Sequence, residues 1–589
     1  MIKVSDYIAK RLKEHGVEHF FMVSGGGAMH LNDSLGRAIP YTANHHEQAC
    51  AIAAEGYARI NQRLGVVNVT TGPGGLNCLN GVMGQWTDSV PVLYISGQVK
   101  FATSLASCSN IPLRQLGDQE VDIISVVKPL TKYAVMVTDA KTIKYHLDRA
   151  IYEATHGRFG PVWLDIPTNI QAAMIDEDEL IDFEEPEIVA AQDLRVEDVL
   201  NRLSNAKRPL VVAGHGVRLA GQQDNLHKLL SKMQVPVLTT FSGFDLVETK
   251  NPLFAGHFGT VGQRAGNFVL QNADVVLFLG TRNNIRQVSY NWESYAKNAY
   301  KIIVDIDKAE LDKPTVRPDL GVCADLRDFL PALLDKADNF CRKEWLQYCV
   351  KVNQKYDFYN TPEYAQKADS LINPYYFVRM LGESLQESDI MAVANGSACV
   401  CTHQVGVVKK GQRQFWNSGD ASMGYGLPAA IGACYQANGR RVICLEGDGS
   451  IMMNLQELET VAFNNLPIKL FIINNSGYSS IRQTQRNFFS GNMTGSGADS
   501  GVGMPDFAKL ADGFGLKSTR IENSDNLAAK ITEVLNMSGP VLCEVMVEKE
   551  YAFTPKLSSR KLPDGTMISP SLEDMFPFLD RKEFEENMQ

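Results

Sequence analysis

The sequence lacks an excess of positive charge and any long uninterrupted apolar run. Its 589 residues include 57 Lys and Arg against 67 Asp and Glu, which gives a formal net charge of −10. Such an acidic balance offers no electrostatic footprint for nucleic acid. No run of eighteen or more apolar residues occurs, so we expect no membrane span. The N-terminal segment also lacks the apolar core and cleavage site of a signal peptide.

The cysteines lack the pattern of a disulfide framework. There are eleven of them, an odd number, and no CxxC pair. We therefore expect buried, reduced thiols and a cytoplasmic location. Cys399 and Cys401 form a CxC, for which we expect packing in the core and not metal binding.

Short apolar runs alternate with helical patterns through most of the chain. This alternation predicts an α/β protein with doubly wound, mostly parallel sheets covered on both faces. The length predicts several domains. We place three of them at 1–175, 190–345 and 370–550, with an acidic linker after the first and a tail at 551–589.

The stretch from Arg441 to Asn475 predicts a strand, a helix and a second strand. It comprises an apolar run at 442–445, the turn Gly447-Asp448-Gly449, a helical pattern through 451–462 and an apolar run at 468–473 that stops at Asn474-Asn475.

Parallel strands joined by a right-handed crossover end at one edge of their sheet, so Asp448 and Asn475 are expected to lie close together. Gly447 and Gly449 allow backbone N–H groups to approach an anion. Asp448 would repel a phosphate unless a divalent cation lies between them. Carboxylate and amide oxygens are ligands that Mg²⁺ accepts, which predicts a magnesium-bridged diphosphate.

This GDG followed by NN resembles the diphosphate-binding motif of thiamin diphosphate (ThDP) enzymes. The segment YTANHHEQACAIAAEGYAR, Tyr41 to Arg59, resembles the HEQxAxxxAxGYAR pattern of the acetolactate synthase group. Thr70 to Val99 and SMGYGLPAAIGA resemble further segments of that group. The resemblance covers nearly all of 1–550 and implies the ThDP-binding fold, with pyrimidine-binding, central and diphosphate-binding domains in that order.

In the first domain, the resemblance implies that Glu47 is the carboxylate that activates the cofactor through its pyrimidine ring. It further implies active-site roles for Gly25, Gly26 and Gln119, and cofactor contacts for Pro73 and Asn77. Turn formation is the alternative role for the two glycines.

In the third domain, the resemblance implies metal ligation by Asp448, Asn475 and Gly477. The remaining implied cofactor-binding residues are Gly396, Ser397, Met423, Gly447, Gly449, Ser450 and Tyr478. Met423 would bend the cofactor, and core packing is its alternative role.

Two departures from the family pattern concern the acceptor. Thr484 stands where acetolactate synthases have a Trp that helps select a 2-ketoacid, and Thr168 replaces a Lys. Both argue against a second pyruvate as acceptor. In the central domain, GTRNNIRQ from Gly280 to Gln287 replaces the family's GxRFDDR, which leaves FAD binding open.

The sequence therefore implies a ThDP- and Mg²⁺-dependent enzyme that decarboxylates a 2-oxoacid such as pyruvate. It would transfer the two-carbon acyl-anion unit to an acceptor carbonyl, with a keto-sugar nucleotide or another ketone as candidates. The alternatives are acetolactate synthase proper, a simple 2-oxoacid decarboxylase and a non-catalytic scaffold of the same fold. The family's site lies between subunits, which implies a homodimer or homotetramer.

Two segments outside these motifs carry expectations of their own. Residues 490–503 are rich in Gly and Ser, which predicts either a mobile lid over the site or a surface loop without a gating role. The tail contains apolar residues, among them Leu572 and Met575, so we expect it to pack on the body of the protein.

Overall fold

The computed structural model describes residues 1–187, 193–367, 370–561 and 564–588. Within these ranges it contains three six-stranded sheets in which every strand pairing is parallel. The predicted fold class is confirmed. Residues 190 and 589, which bound the predicted central domain and tail, lie outside the described residues. None of the described helices is long and apolar enough to cross a membrane.

The first sheet has the strand order β3-β2-β4-β5-β7-β6, and β1 pairs with β8 beside it. The strands are β1 Ile2–Lys3, β2 Phe20–Met22, β3 Tyr41–Ala43, β4 Gly65–Val69, β5 Val92–Gln98, β6 Tyr133–Met136, β7 Val162–Pro167 and β8 Met174–Ile175. The helices are α1 Val4–Glu14, α2 Met29–Ala38, α3 Glu47–Asn61, α4 Pro73–Asn77, α5 Leu79–Asp88, α6 Ile123–Val127, α7 Ile143–Thr155 and α8 Thr168–Gln171.

The second sheet has the order β11-β10-β9-β12-β13-β14. Its strands are β9 Pro209–Ala213, β10 Val237–Thr239, β11 Phe254–His257, β12 Val275–Leu279, β13 Tyr300–Asp305 and β14 Leu320–Cys323. The helices are α9 Val196–Asn205, α10 His215–Leu219, α11 Gln223–Met233, α12 Arg264–Asn272, α13 Ile285–Val288, α14 Lys308–Asp312, α15 Leu326–Lys336 and α16 Lys343–Lys355.

The third sheet has the order β16-β15-β17-β18-β20-β19, which repeats the arrangement of the first. Its strands are β15 Ile390–Val393, β16 Arg413–Phe415, β17 Val442–Gly447, β18 Ile468–Asn474, β19 Lys517–Ile521 and β20 Val541–Met546. The helices are α17 Pro374–Ser384, α18 Ser397–Val405, α19 Gly426–Cys434, α20 Asp448–Ile451, α21 Glu457–Phe463, α22 Ser479–Phe488, α23 Phe507–Gly513 and α24 Leu527–Asn536.

The tail forms the pair β21 Arg560–Lys561 and β22 Met567–Ile568 and ends in α25 Arg581–Asn587. It packs against the central sheet's helix α12, where Arg264 donates to the carbonyls of Met575 and Pro577. Leu572 is buried in that domain's apolar core. The expectation of a tail packed on the body is confirmed.

The apolar runs of the sequence form the buried strands of all three sheets, as predicted. The helix predicted through 451–462 is instead two short helices, α20 and α21. The break has a tertiary cause, because the Asn454 side chain donates to the carbonyl of Gly424 at 2.8 Å and holds the intervening turn against a loop that is distant in sequence. The prediction of one continuous helix is wrong here.

The cysteines follow the expectation in part. All eleven are free thiols, and Cys399 and Cys401 are buried in an apolar cluster. Cys323, however, is exposed, because it lies on the edge strand β14 where alternate side chains face solvent.

Helices α3 and α19 bring the first and third domains together within one chain. The two helices cross so closely that a Cβ on Gly56 would lie 2.1 Å from the carbonyl oxygen of Ala429. A Cβ on Gly432 would lie 1.8 Å from the carbonyl oxygen of Ala53. Glycine on both helices is therefore what permits this approach.

Candidate active site

The strand order of the third sheet reverses between β15 and β17, and the loops that follow these strands open a crevice there. Ligands of open α/β sheets bind at this kind of switch point, beyond the carboxyl ends of the strands. Gly396, with φ +70°, leads from β15 into α18, and Gly447-Asp448 leads from β17 into α20. Most of the residues implied for diphosphate binding therefore lie at one sheet edge.

Asp448 is buried at this edge, with 1% of its surface exposed. Its carboxylate accepts hydrogen bonds from the backbone N–H groups of Gly449 at 2.8 Å and Gly477 at 2.9 Å. Burial raises the pKa of Asp448 to about 6, although these bonds and the nearby Arg482 oppose the increase. A cation would complete the stabilisation of the ionised carboxylate.

The turn at 475–477 follows β18, which lies next to β17 in the sheet. The bond from Gly477 to Asp448 joins this turn to the GDG turn, so the two lie together as predicted. Asn475 is buried, and its side-chain oxygen accepts from Arg482 at 3.0 Å, which leaves that oxygen a second lone pair. Gly477 adopts φ +134°, a conformation open to glycine.

The donor set of this edge fits Mg²⁺. It offers one carboxylate and one amide oxygen, both hard ligands, close to glycine-rich backbone. Within the described ranges, no group of three or more His, Cys, Asp or Glu side chains could hold a metal ion. A cation at Asp448 would therefore take further oxygens from the backbone, water or a bound phosphate.

Gly449 packs against Tyr478, another residue implied for cofactor binding. A Cβ at Gly449 would lie 2.3 Å from Cε1 of the Tyr478 ring, so a larger residue would displace the ring. The two implied residues are in direct contact.

Met423 and Ser450 are brought together on the same side of the crevice. The Gly424 N–H donates to Ser450 Oγ at 2.9 Å. Met423 itself is 41% exposed, so it is not a core residue and is free to contact a ligand.

Tyr551 is a site residue that the motifs did not reveal. Its hydroxyl donates to Ser397 Oγ, and it also interacts with Ser479 and lies near Asp448. Burial raises the pKa of Tyr551, so the hydroxyl stays protonated as a donor. Its position soon after the last central strand of a parallel sheet was the available signal, because that strand ends at the same edge.

In the first domain, Glu47 is the first residue of α3 and lies beside the loop after β4. Its Oε2 accepts from Asn77 Nδ2 at 2.9 Å. Pro73 begins the short helix α4 that carries Asn77. Gly72, with φ +61°, approaches the backbone of Gln119, since a Cβ there would lie 1.8 Å from the Gln119 oxygen.

The loop Gly25-Gly26-Gly27 follows β2, and β2 pairs with β4. Gly27 N–H donates to Thr70 Oγ1 at 3.1 Å, and a Cβ at Gly25 would collide with the Thr70 side chain at 2.5 Å. Gly25 thus has a packing reason to be glycine. Gly26 is exposed, with nothing within 4 Å of a built Cβ, so its position is open to a ligand.

The loops around Glu47 and the loops around Asp448 belong to different domains, the first and the third. Among the described residues, no hydrogen bond or ion pair joins Glu47 to the loops around Asp448. The contact between these domains lies elsewhere, where buried Glu457 accepts from Asn44 Nδ2 at 2.8 Å and from His45 N–H at 3.0 Å.

The segment 490–503 directly contacts the turn at 475–477, which is called the cation turn below because it carries two of the implied metal ligands. Ser496 is fully buried, and its carbonyl accepts from Tyr478 N–H at 2.9 Å. Gly497 forms an antiparallel bridge with Gly477. This segment is therefore not a surface loop remote from the site, and a gating role stays a prediction.

The central sheet has its own switch point, between β9 and β12, and a cleft opens there. Arg282, His215, Thr281 and Gln287 line this cleft. Of these four, His215, Thr281 and Gln287 each have a buried polar side-chain atom without a hydrogen-bond partner among the described residues. Unsatisfied polar groups of this kind fit a polar ligand such as a nucleotide.

Comparisons with known proteins agree with this geometry. Family models of the thiamine pyrophosphate enzymes match in chain order: the N-terminal TPP binding domain over 2–126, the central domain over 196–333 and the C-terminal TPP binding domain over 394–545.

Curated relatives match over almost the whole chain. The acetolactate synthase large subunit of Lactococcus lactis subsp. lactis (strain IL1403) is 31% identical, over 94% of this chain and 94% of the relative. The acetolactate synthase isozyme 1 large subunit of Escherichia coli (strain K12) is 29% identical, over 94% of this chain and 95% of the relative. Acetolactate synthase 1, chloroplastic, of Zea mays is 30% identical, over 95% of this chain and 87% of the relative.

Proposed function

The chain belongs to the thiamine pyrophosphate enzyme family, among relatives of the acetolactate synthases, and from this premise we propose that it decarboxylates pyruvate and transfers the two-carbon unit to an acceptor carbonyl. The observation that carries this proposal is the hydrogen bond between Gly477 and Asp448, which joins two oxygen-donor turns at a glycine-rich switch point. ThDP and Mg²⁺ are the cofactors of the reaction.

When bound, ThDP supplies the carbon nucleophile and the electron sink that allow a 2-oxoacid to lose CO₂. Asp448, Asn475 and Gly477 would hold Mg²⁺ against its diphosphate. The N–H groups and hydroxyls at Gly396, Ser397, Gly447, Gly449 and Ser450 would bind the phosphate oxygens, with Tyr551 as an additional donor.

Glu47 would hold a proton shared with the cofactor's pyrimidine ring. Asn77 occupies Oε2 of Glu47, which leaves Oε1 as the oxygen available for that proton. Pro73 begins the helix that carries Asn77 and so fixes this bond. Gln119, Gly25 and Gly26 surround the same edge and would orient the substrate, while Met423 and Tyr478 would contact the cofactor from the other domain.

A complete site needs the loops of both domains, and no hydrogen bond or ion pair joins Glu47 to the Asp448 loops among the described residues of one chain. We therefore propose that Glu47 of one subunit works with Asp448 of a partner, in a homodimer or homotetramer. Exposed apolar side chains beside both sets, such as Leu76 and Met453, are suited to burial in such an interface.

The identity of the acceptor is the next part of the proposal. The relatives are named acetolactate synthases, which favours the alternative stated above over the main expectation. A second 2-oxoacid is therefore the first candidate acceptor. A larger carbonyl compound is the second candidate, favoured by the exposed Thr484 on α22, whose small side chain leaves space beyond the cation turn.

The central cleft is proposed as an accessory site for a flavin nucleotide that takes no part in electron transfer. Arg282, beside the unsatisfied groups of His215 and Thr281, would bind its phosphates and polar edge. The visible absorbance spectrum of the purified protein tests this directly.

Product analysis by mass spectrometry tests the proposed reaction. The enzyme, with ThDP and Mg²⁺, is incubated with pyruvate alone, with 2-ketobutyrate, and with a panel of ketones, aldehydes and keto-sugar nucleotides. Acetolactate from pyruvate alone supports the first acceptor, and a product that requires another carbonyl supports the second. Acetaldehyde as the only product, whatever acceptor is present, would show a simple decarboxylase instead.

Thr484→Trp sharpens the acceptor test. If the small residue admits larger acceptors, this variant should lose them and retain pyruvate, whereas Thr484→Val should behave as the unmodified enzyme. Equal acceptor profiles for both variants would show that the size of residue 484 does not select the acceptor.

A further inference from the structure

Arg482 lies on α22 directly behind the cation turn, and 8% of its surface is exposed. Its guanidinium bonds three separate parts of the chain. Nη2 donates to the Asn475 carbonyl at 2.9 Å, to Asn475 Oδ1 at 3.0 Å and to the Lys549 carbonyl at 3.1 Å. Nη1 donates to the carbonyls of Ser496 at 3.0 Å and Ser476 at 3.3 Å.

These contacts differ from those of an ordinary buried arginine. All five go to neutral oxygens, and no salt bridge to Arg482 occurs among the described residues. Its positive charge acts on Asp448, because Arg482 lowers the pKa of that carboxyl against the effect of burial. The positive charge therefore stabilises the ionised Asp448 without bonding it.

We propose that Arg482 is the positioning residue of the cation site, an inference that rests on the proposed function. It fixes Asn475 Oδ1, one of the proposed ligands, and holds the 475–477 turn against Asp448. Through Ser496 it also fixes the segment 490–503 to the same turn. Only a planar group with several donors can bond all three segments at once, so lysine cannot replace it.

The test uses the full-length variants Arg482→Lys and Arg482→Met. Arg486→Met is the matched control, because Arg486 lies one turn further along α22, is exposed and pairs with Glu550. Circular dichroism establishes that each variant is folded. The lysine variant retains the charge, so any defect it shows reports the lost geometry.

The first readout is hydrogen exchange, measured by mass spectrometry on cofactor-free protein. Peptides that contain Tyr478 and Gly497 should exchange faster in both Arg482 variants, because the bond from Tyr478 N–H to Ser496 loses its support. Peptides from the first domain and the Arg486→Met control should keep the exchange of the unmodified protein. Unchanged exchange in Arg482→Lys would overturn the proposed link between the turn and 490–503.

The second readout is the affinity for Mn²⁺ in the presence of ThDP, measured by electron paramagnetic resonance. Residues that orient metal ligands typically change metal affinity by about 10- to 100-fold when removed, and we expect a loss of that order in Arg482→Lys. An affinity equal to that of the control would overturn the positioning of Asn475. If the unmodified protein binds no Mn²⁺, the proposed function fails, while the exchange experiment still decides the mechanical role of Arg482.

Discussion

Buried carboxylates in this protein differ in what compensates their burial. Asp448 lies at a strand end, where backbone N–H groups and Arg482 favour its ionised form. Asp165 lies inside β7 and accepts from Ser96 Oγ at 2.6 Å and Gln98 Nε2 at 3.1 Å, and no salt bridge to it occurs among the described residues. Burial raises the pKa of Asp165 to about 7. The first is suited to a metal ion, and the second is a source of pH-dependent stability.

Asp165→Asn should flatten the pH dependence of stability. The folded pKa lies above the ordinary value of 3.8, so the protonated carboxyl stabilises the fold below about pH 4, and this contribution is lost as the pH rises through 7. A shift of this size corresponds to about 4 kcal/mol at most. Melting temperatures between pH 5 and pH 8 should fall less steeply in the variant than in the unmodified protein.

The exposed Asp335→Asn is the control for that series and should leave the slope unchanged. Glu55 and Glu446 also have a pKa raised to about 7 by burial, so the Asp165→Asn variant should keep part of the pH dependence. Parallel curves for Asp165→Asn and the unmodified protein would contradict the account of Asp165.

Glu47→Gln should retain ThDP binding and lose turnover. Glutamine can still accept the bond from Asn77, so the local structure should persist, but it cannot hold the proton of the cofactor's ring. General acid–base groups typically contribute about 10²- to 10⁴-fold, and we expect a loss of that order. ThDP binding by calorimetry and product formation are measured together, with the exposed Glu18→Gln as control. Normal turnover in Glu47→Gln would remove the proposed mechanism.

At the scale of elements, the crossing of α3 and α19 has a strict steric requirement. Gly432→Ala would push a methyl group into the backbone of Ala53, and neither helix can move without shifting a domain. Overpacking typically costs about 1–3 kcal/mol, and contact with backbone places this change at the upper end. Thermal unfolding should show a lower midpoint.

Gly513→Ala is the matched control for the helix crossing. Gly513 lies at the end of α23, and a Cβ there has nothing within 4 Å. Alanine should leave stability unchanged or raise it slightly, since it favours helix over glycine. A similar loss in both variants would contradict the steric explanation.

Elements were predictable from the sequence where burial dictates a pattern. The runs at 442–445 and 468–473 form β17 and β18 because strands buried on both faces are apolar throughout. The parallel order then placed Asp448 beside the 475–477 turn. The prediction of one continuous helix through 451–462 was wrong because Asn454 bonds a loop that is distant in sequence. Hydrophobic periodicity contains no information about that contact.

At the scale of the whole molecule, the arrangement of the domains decides where catalysis can occur. The first and third domains contact each other through α3, α19 and Glu457, while no hydrogen bond or ion pair joins Glu47 to the Asp448 loops in the described part of the chain. The proposed assembly pairs each set with that of a second copy.

Mixing two inactive variants tests this arrangement. Glu47→Gln and Asp448→Asn subunits, coexpressed with different tags, should assemble randomly, and half of the dimers would carry both types. In each mixed dimer one site would have both residues intact, so activity should recover to about a quarter of that of the unmodified enzyme. Each variant alone is the control. No recovery in isolated mixed dimers would place the complete site within one chain.

The sequence by itself determined the three parallel sheets, the switch-point glycines and the approach of Asp448 to the turn that begins at Asn475, because burial imposes an apolar pattern and parallel strands end at one sheet edge. The proposed role of Glu47 came from the resemblance to the family. Only the tertiary structure decided the roles of Arg482, Tyr551 and Ser496. Their contacts depend on which loops meet at a sheet edge, and loops distant in sequence meet through packing, which no local pattern specifies.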